Sequence, residues 1–178
     1  MKNDVKKILI TEEEIRAKLR ELGQEITKDY SGKDLLIVGI LKGSFVFMGD
    51  LIRNIDVPIQ VDFMEISSYG CATESSGAVR ILKDLDNDIE GRNVLIVEDI
   101  VDTGLTLSYL IDNLWSRKPS SLKICTFLNK PSRRKVPLEV NYNGYNIPDE
   151  FVVGYGLDYA EKYRNLPYVA IVKPEIYK

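Results

Sequence analysis

The chain has 178 residues, 44% of them hydrophobic, which suits one domain with a substantial core. Its 24 basic and 27 acidic residues leave a formal charge of −3, so no general cationic field draws in nucleic acid or an anionic membrane. Two cysteines and no histidine exclude a disulfide scaffold, a cysteine-rich metal site and an imidazole base or ligand.

The N-terminus carries Lys6 and Lys7 and a short apolar-polar run, then reaches Glu12-Glu13-Glu14 with no long apolar segment. Neither a secretory signal nor a membrane span is expected, and cytoplasmic residence is the simpler reading. Thr11 is placed to cap a helix with Glu14 reaching back to it, and Ile15, Leu19, Leu22 and Ile26 recur at helical spacing. Ser31-Gly32 breaks that helix before Leu35 to Ile40, a continuous apolar run of the kind found in interior parallel strands. Gly43 introduces a second helix carrying Phe45, Met48, Leu51 and Ile52, and Val57 to Ile66 is a second extended unit.

Ser67 to Gly77 has neither a helical stripe nor strand alternation and reads as a mobile polar loop. Ala78 to Lys83 returns as a strand, followed by a turn through Asp86-Asn87-Asp88 and Gly91. Leu107, Leu110, Ile111 and Leu114 set one face of a helix against a sheet, and Leu122 to Leu128 is a further apolar strand. Strands separated by helices predict a mostly parallel α/β sheet flanked by helices. The segment Asn129 to Asn146 is polar, basic and broken by Pro131 and Pro137, while Phe151-Val152-Val153 and Tyr168 to Val172 form short strands. Residues 1–178 are therefore expected to form a single domain, with a small hood made mainly by 129–178.

Chemistry concentrates between Val94 and Leu107, where a buried-strand signal runs into Glu98-Asp99 and then Asp102-Thr103-Gly104-Leu105-Thr106 at the start of a helix. In an open α/β sheet, ligands collect beyond the carboxyl ends of the strands, where Glu98 and Asp99 emerge. Backbone N–H groups from Asp102 to Thr106, with the Thr103 and Thr106 hydroxyls, suit a phosphate at the helix N-terminus, and Gly104 lets the backbone come close. Carboxylates beside a phosphate repel it unless magnesium or sugar hydroxyls intervene. The same residues also read as a strand end followed by an Asp102 or Thr103 helix cap, and spacing does not separate the two. A GxxxxGK[ST] phosphate loop is absent.

The stretch Val97-Glu98-Asp99-Ile100-Val101-Asp102-Thr103-Gly104-Leu105-Thr106 resembles the phosphoribosyl-pyrophosphate signature of the hypoxanthine-guanine phosphoribosyltransferase family. The likeness extends through Leu41-Lys42-Gly43, Ser68-Tyr69, Lys130, Phe151 to Asp158 and Arg164. It implies a type I phosphoribosyltransferase-like fold and transfer of a 5-phosphoribosyl group to N9 of hypoxanthine or guanine. The products would be IMP or GMP and pyrophosphate, in purine salvage.

The resemblance also implies roles. Glu98 and Asp99 would face the ribose hydroxyls and Mg²⁺, and Asp102, Thr103, Gly104, Leu105 and Thr106 would hold the 5′-phosphate. Asp102 would lie near purine N7 as proton acceptor. Lys42, Gly43 and Arg164 would bind pyrophosphate, with a non-proline cis bond near Leu41-Lys42. Lys130, Phe151, Val152 and Asp158 would bind the purine, Lys130 donating to O6 and Phe151 stacking, and Asp158 would also meet the magnesium. Ser68 and Tyr69 would close over the reaction, and a homodimer or homotetramer would be expected.

Without the resemblance, Lys42 reads as a surface lysine after a strand, Phe151 as core, and Asp158 with Arg164 as solvated charges. Two other functions stay open: a related transferase acting on xanthine or a pyrimidine, and a nucleotide-responsive regulator binding RNA or protein. The acidic composition shows no nucleic-acid stripe, and Lys42, Asp102 and Arg164 together favour catalysis.

Overall fold

A computed structural model describes residues 1–68 and 79–177. Helix α1 (Glu12–Asp29) opens on a complete capping box: Thr11 N–H donates to Glu14 Oε2 at 2.7 Å, and Glu14 N–H donates to Thr11 Oγ1 at 3.3 Å. Its apolar stripe, Ile15, Leu19, Leu22 and Ile26, is buried as the spacing predicts. Strand β1 (Val5–Ile10) precedes it, and β2 (Leu35–Leu41), α2 (Phe45–Ile52), β3 (Ile59–Ser68) and β4 (Val79–Lys83) follow. Then come β5 (Asn93–Val101), α3 (Leu105–Trp115), β6 (Ser121–Asn129), β7 (Tyr142–Asn146), β8 (Val152–Val153), β9 (Val169–Val172) and the short α4 (Pro174–Tyr177).

Six strands form the main sheet in the order β4-β3-β2-β5-β6-β7, all parallel except β4, which runs antiparallel at the edge. The alternation of side chains across a strand sorts its core into two layers. Leu35, Ile37, Leu95 and Val97 face α1 and α2, whereas Leu36, Val38, Ile40, Val94 and Ile96 face α3 through Leu107, Leu110 and Leu114. A second sheet, β1-β9-β8, is antiparallel and forms the hood.

Three details differ from the sequence reading. The N-terminal run forms β1 and pairs with β9, so the hood draws on both ends of the chain. Tyr142–Asn146 joins the core sheet in parallel with β6; its alternation of Tyr with Asn and Gly hides a strand whose outer edge has no partner strand among the described residues. On α2 the buried aromatic is Phe47, not Phe45, which is 49% exposed; the helix starts at Phe45 and its inner stripe is Phe47, Met48 and Leu51. No helix among the described residues is long and apolar enough to cross a membrane.

Phe127 of β6 is fully buried, with its ring 4.9 Å from Tyr155, 5.2 Å from Phe47 and 5.8 Å from Tyr145. It joins the sheet, α2 and the hood through one side chain. Phe127→Ala is expected to lower unfolding stability by about 3–5 kcal/mol, the usual cost of a large core deletion. A denaturant midpoint unchanged from the parent would show that this cluster does not bind the hood to the sheet.

Candidate active site

The parallel register sets Gly39 beside Val97, so the turn leaving β2 at Leu41-Lys42-Gly43 meets β5 near Asp99. The Leu41–Lys42 peptide is cis. Gly43 lies directly on Asp99: a Cβ at this position would overlap the Asp99 carboxylate. On its other side the Gly43 carbonyl fills the space that a Cβ of Gly156 would need. Gly156 has φ +98°, and its carbonyl accepts from Arg164 Nη1 at 2.7 Å. Two glycines thereby bring the β2–α2 turn, the end of β5 and the hood loop into contact.

Glu98 and Asp99, being adjacent on a strand, point to opposite faces. Glu98 borders a 250 Å³ cavity together with Ile40, Ile100, Asp102, Gly104 and Thr106. Its Oε2 is buried and has no protein partner among the described residues. Burial first, and the Asp99 charge second, push the Glu98 carboxyl well above the ordinary range. Asp99 accepts from Ile100 N–H at 2.8 Å through Oδ1. Burial lifts its pKa to about 6, opposed by hydrogen bonds from the backbone N–H groups and by the Arg164 charge, with Asp158 adding a smaller repulsion.

The junction between β5 and α3 is open to an anion. The N-cap of α3 is Gly104, at φ +81°, and no side chain caps the helix. Thr103 Oγ1 stands 3.5 Å from Leu105 N, too long to satisfy that donor well. The alternative reading, a helix capped by Asp102 or Thr103, therefore does not describe this turn. Asp102 instead accepts from Arg133 Nε at 2.9 Å through Oδ1, and Arg133 also reaches Asp149 Oδ2 at 3.4 Å.

At the hood, Lys130 is buried and donates from Nζ to the Glu150 carbonyl at 2.8 Å. Phe151 is 36% exposed; Tyr177 stacks on it at 4.8 Å and Tyr159 meets it edge-on at 5.5 Å. Val152 is buried in β8. Asp158 pairs with Arg164 Nη2 at 2.8 Å, and Lys42 is near Glu161 at 3.6 Å.

The fold thus gathers Lys42, Gly43, Asp99, Asp158 and Arg164 on one side, Glu98 and the 102–106 turn on another, and Lys130, Phe151 and Val152 at the hood. Among the described residues no three acidic side chains converge on one point as a metal cluster, so Glu98, Asp99 and Asp158 do not enclose an ion by themselves. Tyr69 lies outside the described residues, and only the backbone of Ser68 is described, at the end of β3. A larger cavity of 640 Å³, between α1 and α2, meets this region only through Arg164, Tyr155 and the residues next to them. Its size marks a groove between helices, whereas the smaller cavity holds the acidic pair member and the open helix terminus.

Sequence reasoning missed Arg133, Arg134, Asp149 and Tyr177. Arg134 packs behind Gly104 and donates to Asn129, while its Nε and Nη1 are buried without protein partners among the described residues. The run Arg133-Arg134-Lys135, three residues beyond Lys130, was the available signal for the first two.

Residues 6–160 match the phosphoribosyl transferase domain, and the chain belongs to that family. Within it, the chain falls among the hypoxanthine-guanine phosphoribosyltransferases. It is 54% identical to the enzyme of that name from Bacillus subtilis, with 100% of this chain and 99% of that one covered. A crystal structure of a hypoxanthine phosphoribosyltransferase from Staphylococcus aureus superposes with a TM-score of 0.98 at 57% identity, covering 100% of this chain and 97% of that one. The chain is also 56% identical to the bifunctional protein TilS/HprT of Listeria innocua; 99% of this chain aligns, and it spans 27% of that longer protein.

The buried carboxylates carry a cost in protein stripped of divalent cations. Asp99 has a folded pKa of about 6 against 3.8 for an ordinary aspartate, so between these values the folded chain keeps a proton that the unfolded chain has released. Its contribution to stability consequently falls as pH rises through that window and stays low above it. Asp99→Asn, which cannot ionise, should melt at a higher temperature than the parent at pH 7, with the gap opening between pH 4 and pH 6. Superimposable melting curves at pH 7 would contradict this account of the carboxylate.

Proposed function

We propose that the chain transfers a 5-phosphoribosyl group from phosphoribosyl pyrophosphate to N9 of hypoxanthine or guanine, giving IMP or GMP and pyrophosphate in purine salvage. The observation that carries the reading is the β5–α3 junction, where a buried glutamate oxygen with no partner among the described residues borders the same cavity as an uncapped helix N-terminus. A sugar phosphate suits both: hydroxyl donors for the carboxylate, and a dianion for the free N–H groups. Residues 1–178 act as one catalytic domain in this proposal, with the hood holding the base.

Asp102 to Thr106 receive the 5′-phosphate, and Glu98 and Asp99 take the ribose hydroxyls. Lys42, the Gly43 backbone and Arg164 hold the diphosphate. Lys130 donates to purine O6, Phe151 stacks on the ring with Tyr177 supporting it from behind, and the Val152 backbone meets the purine edge. Adenine is disfavoured because its amino group would present donors to the Lys130 ammonium.

A divalent cation fits this donor set. Glu98 and Asp99 are buried carboxyls, Glu98 with an Oε2 that has no protein partner among the described residues, and hard oxygen donors suit Mg²⁺. Glu98, Asp99 and Asp158 are the residues that would hold it, directly or through water, with further oxygens from the substrate. Magnesium bound there would neutralise charge on the diphosphate as it departs.

The chain's own groups do the rest. The purine nitrogen attacks C1 while the C1–oxygen bond to diphosphate breaks and takes its electron pair away, so no protein nucleophile is needed. Lys42 and Arg164 accept the growing negative charge, and fixing both reactants in one cleft lowers the entropic barrier. Asp102 takes the purine proton: Arg133 engages its Oδ1, which leaves Oδ2 for that task. A cytoplasmic setting belongs to the same proposal, since a polyanionic sugar does not cross a bilayer unaided. So does a homodimer or homotetramer, for which exposed Phe45 beside the Lys42 turn is the motivating surface; a monomeric sedimentation profile at micromolar concentration would reject it.

Purified protein with magnesium and phosphoribosyl pyrophosphate, offered hypoxanthine, guanine, xanthine, adenine or uracil, should release pyrophosphate and form nucleotide with the first two. Absence of product with either, from folded and metal-replete protein, refutes the assignment. Asp102→Asn should reduce kcat by about 10²-fold or more, the scale of a lost general base, with KM for phosphoribosyl pyrophosphate little changed. Equal turnover at saturating substrates would remove Asp102 from proton transfer.

A further inference from the structure

The loop that carries Arg164 contains three non-glycine residues in the left-handed region: Ala160 at φ 51°, Glu161 at 61° and Tyr163 at 79°. Glycine is the low-cost residue for such backbone, because a Cβ crowds the neighbouring carbonyl. The turn is nonetheless locked in place. Glu161 N–H donates to Asp158 Oδ2 at 2.8 Å, and Tyr159 and Lys162 exchange backbone hydrogen bonds of 3.2 and 3.0 Å. The consequence is the placement of one carboxylate oxygen: Glu161 Oε1 lies 3.6 Å from Lys42 Nζ and 3.7 Å from Arg164 Nη2. Among the described residues Glu161 is the ion-pair partner of Lys42, and both cations are those assigned above to the diphosphate.

We propose that Glu161 is an intramolecular competitor for the diphosphate position. Its carboxylate rests between Lys42 and Arg164 when no diphosphate is bound, yields to phosphoribosyl pyrophosphate, and returns as pyrophosphate leaves, speeding release of that product. The inference rests on the assignment of Lys42 and Arg164 to diphosphate. Arg164 suits the part because Gly156 O and Asp158 already fix its guanidinium, so only the outer contact changes. The weakness of the Glu161 contacts also suits it. With Glu161 69% and Lys42 58% exposed, the pair is solvent-screened, and a multiply charged ligand displaces it readily.

The test is calorimetric titration of magnesium pyrophosphate into the parent, Glu161→Gln, Glu161→Asp and Lys42→Ala, with steady-state kinetics on each. Glu161→Gln should bind pyrophosphate about threefold tighter, the scale of one exposed ion pair, and lower KM for phosphoribosyl pyrophosphate without raising kcat. Glu161→Asp retains the charge but draws it back by one methylene, and should behave like the Gln variant. Tighter binding in Gln with parental binding in Asp would mean diffuse repulsion and would overturn the proposal. Parental binding in both, with Lys42→Ala weakened, would overturn it while leaving the diphosphate site standing. Parental binding in Lys42→Ala as well would remove the diphosphate assignment and this inference together.

Discussion

Gly43 has room for a hydrogen atom and nothing larger, with the Asp99 carboxylate on one side and Gly156 against its carbonyl on the other. Three segments distant in sequence meet there: the turn after β2, the acidic end of β5 and the hood loop that leads to Arg164. Parallel pairing of β2 with β5 brings the first two level, and the third is held by the Gly156 carbonyl accepting from Arg164. Any side chain at position 43 or 156 would force these segments apart. Lys42 and Arg164 would then leave the carboxylates of β5, so the approach of bare backbone underlies the whole arrangement.

The same contact separates the two acidic residues by how far their burial is compensated. Asp99 is enclosed by Gly43 and receives help from two backbone donors and the Arg164 charge, while Glu98, on the opposite face of the strand, has no such compensation. A fold selected for stability alone would place apolar residues at these positions, as it does at Val94 to Val97 immediately before them. Buried carboxyls without full pairing are costly unless a ligand supplies the missing partners. The unfavourable burial is therefore a property of the free chain, and the proposed substrate, rich in hydroxyls, together with a divalent cation would remove it.

Much of this was legible in the residues. Alternation and helical spacing located the main sheet and its flanking helices because their buried stripes are long and regular, and the 94–107 run marked the acidic pair and the turn that opens α3. Met48 and Leu51 were read correctly, but Phe45 was taken in place of Phe47 because α2 is short and almost wholly apolar, so the pattern does not separate the two aromatics. Tyr142–Asn146 was missed because an edge strand need bury only one side, and Asn and Gly dilute the signal. The pairing of Arg133 with Asp102 and of Tyr177 with Phe151 was out of reach for a different reason. These contacts span 31 and 26 positions and depend on how the hood folds back, which no local pattern encodes.

The hood itself shows why its composition was hard to read. Its middle strand, β9, is paired on one side by β1 from the N-terminus and on the other by β8, which follows Phe151. Lys173 N–H donates to the Asp4 carbonyl at 2.9 Å, and Tyr163 Oη donates to Asp4 Oδ2 at 3.0 Å, so the first residues of the chain also brace the Arg164 loop. A two-residue strand such as β8 has too few ladder bonds to stand alone. Its position depends on β9, and β9 is completed only when β1 adds to its free edge. The wall proposed to hold the base is thus assembled from opposite ends of the sequence, whereas the turn proposed to hold the phosphate is contiguous; that difference in contact range is why the turn could be read as a motif and the wall required the fold.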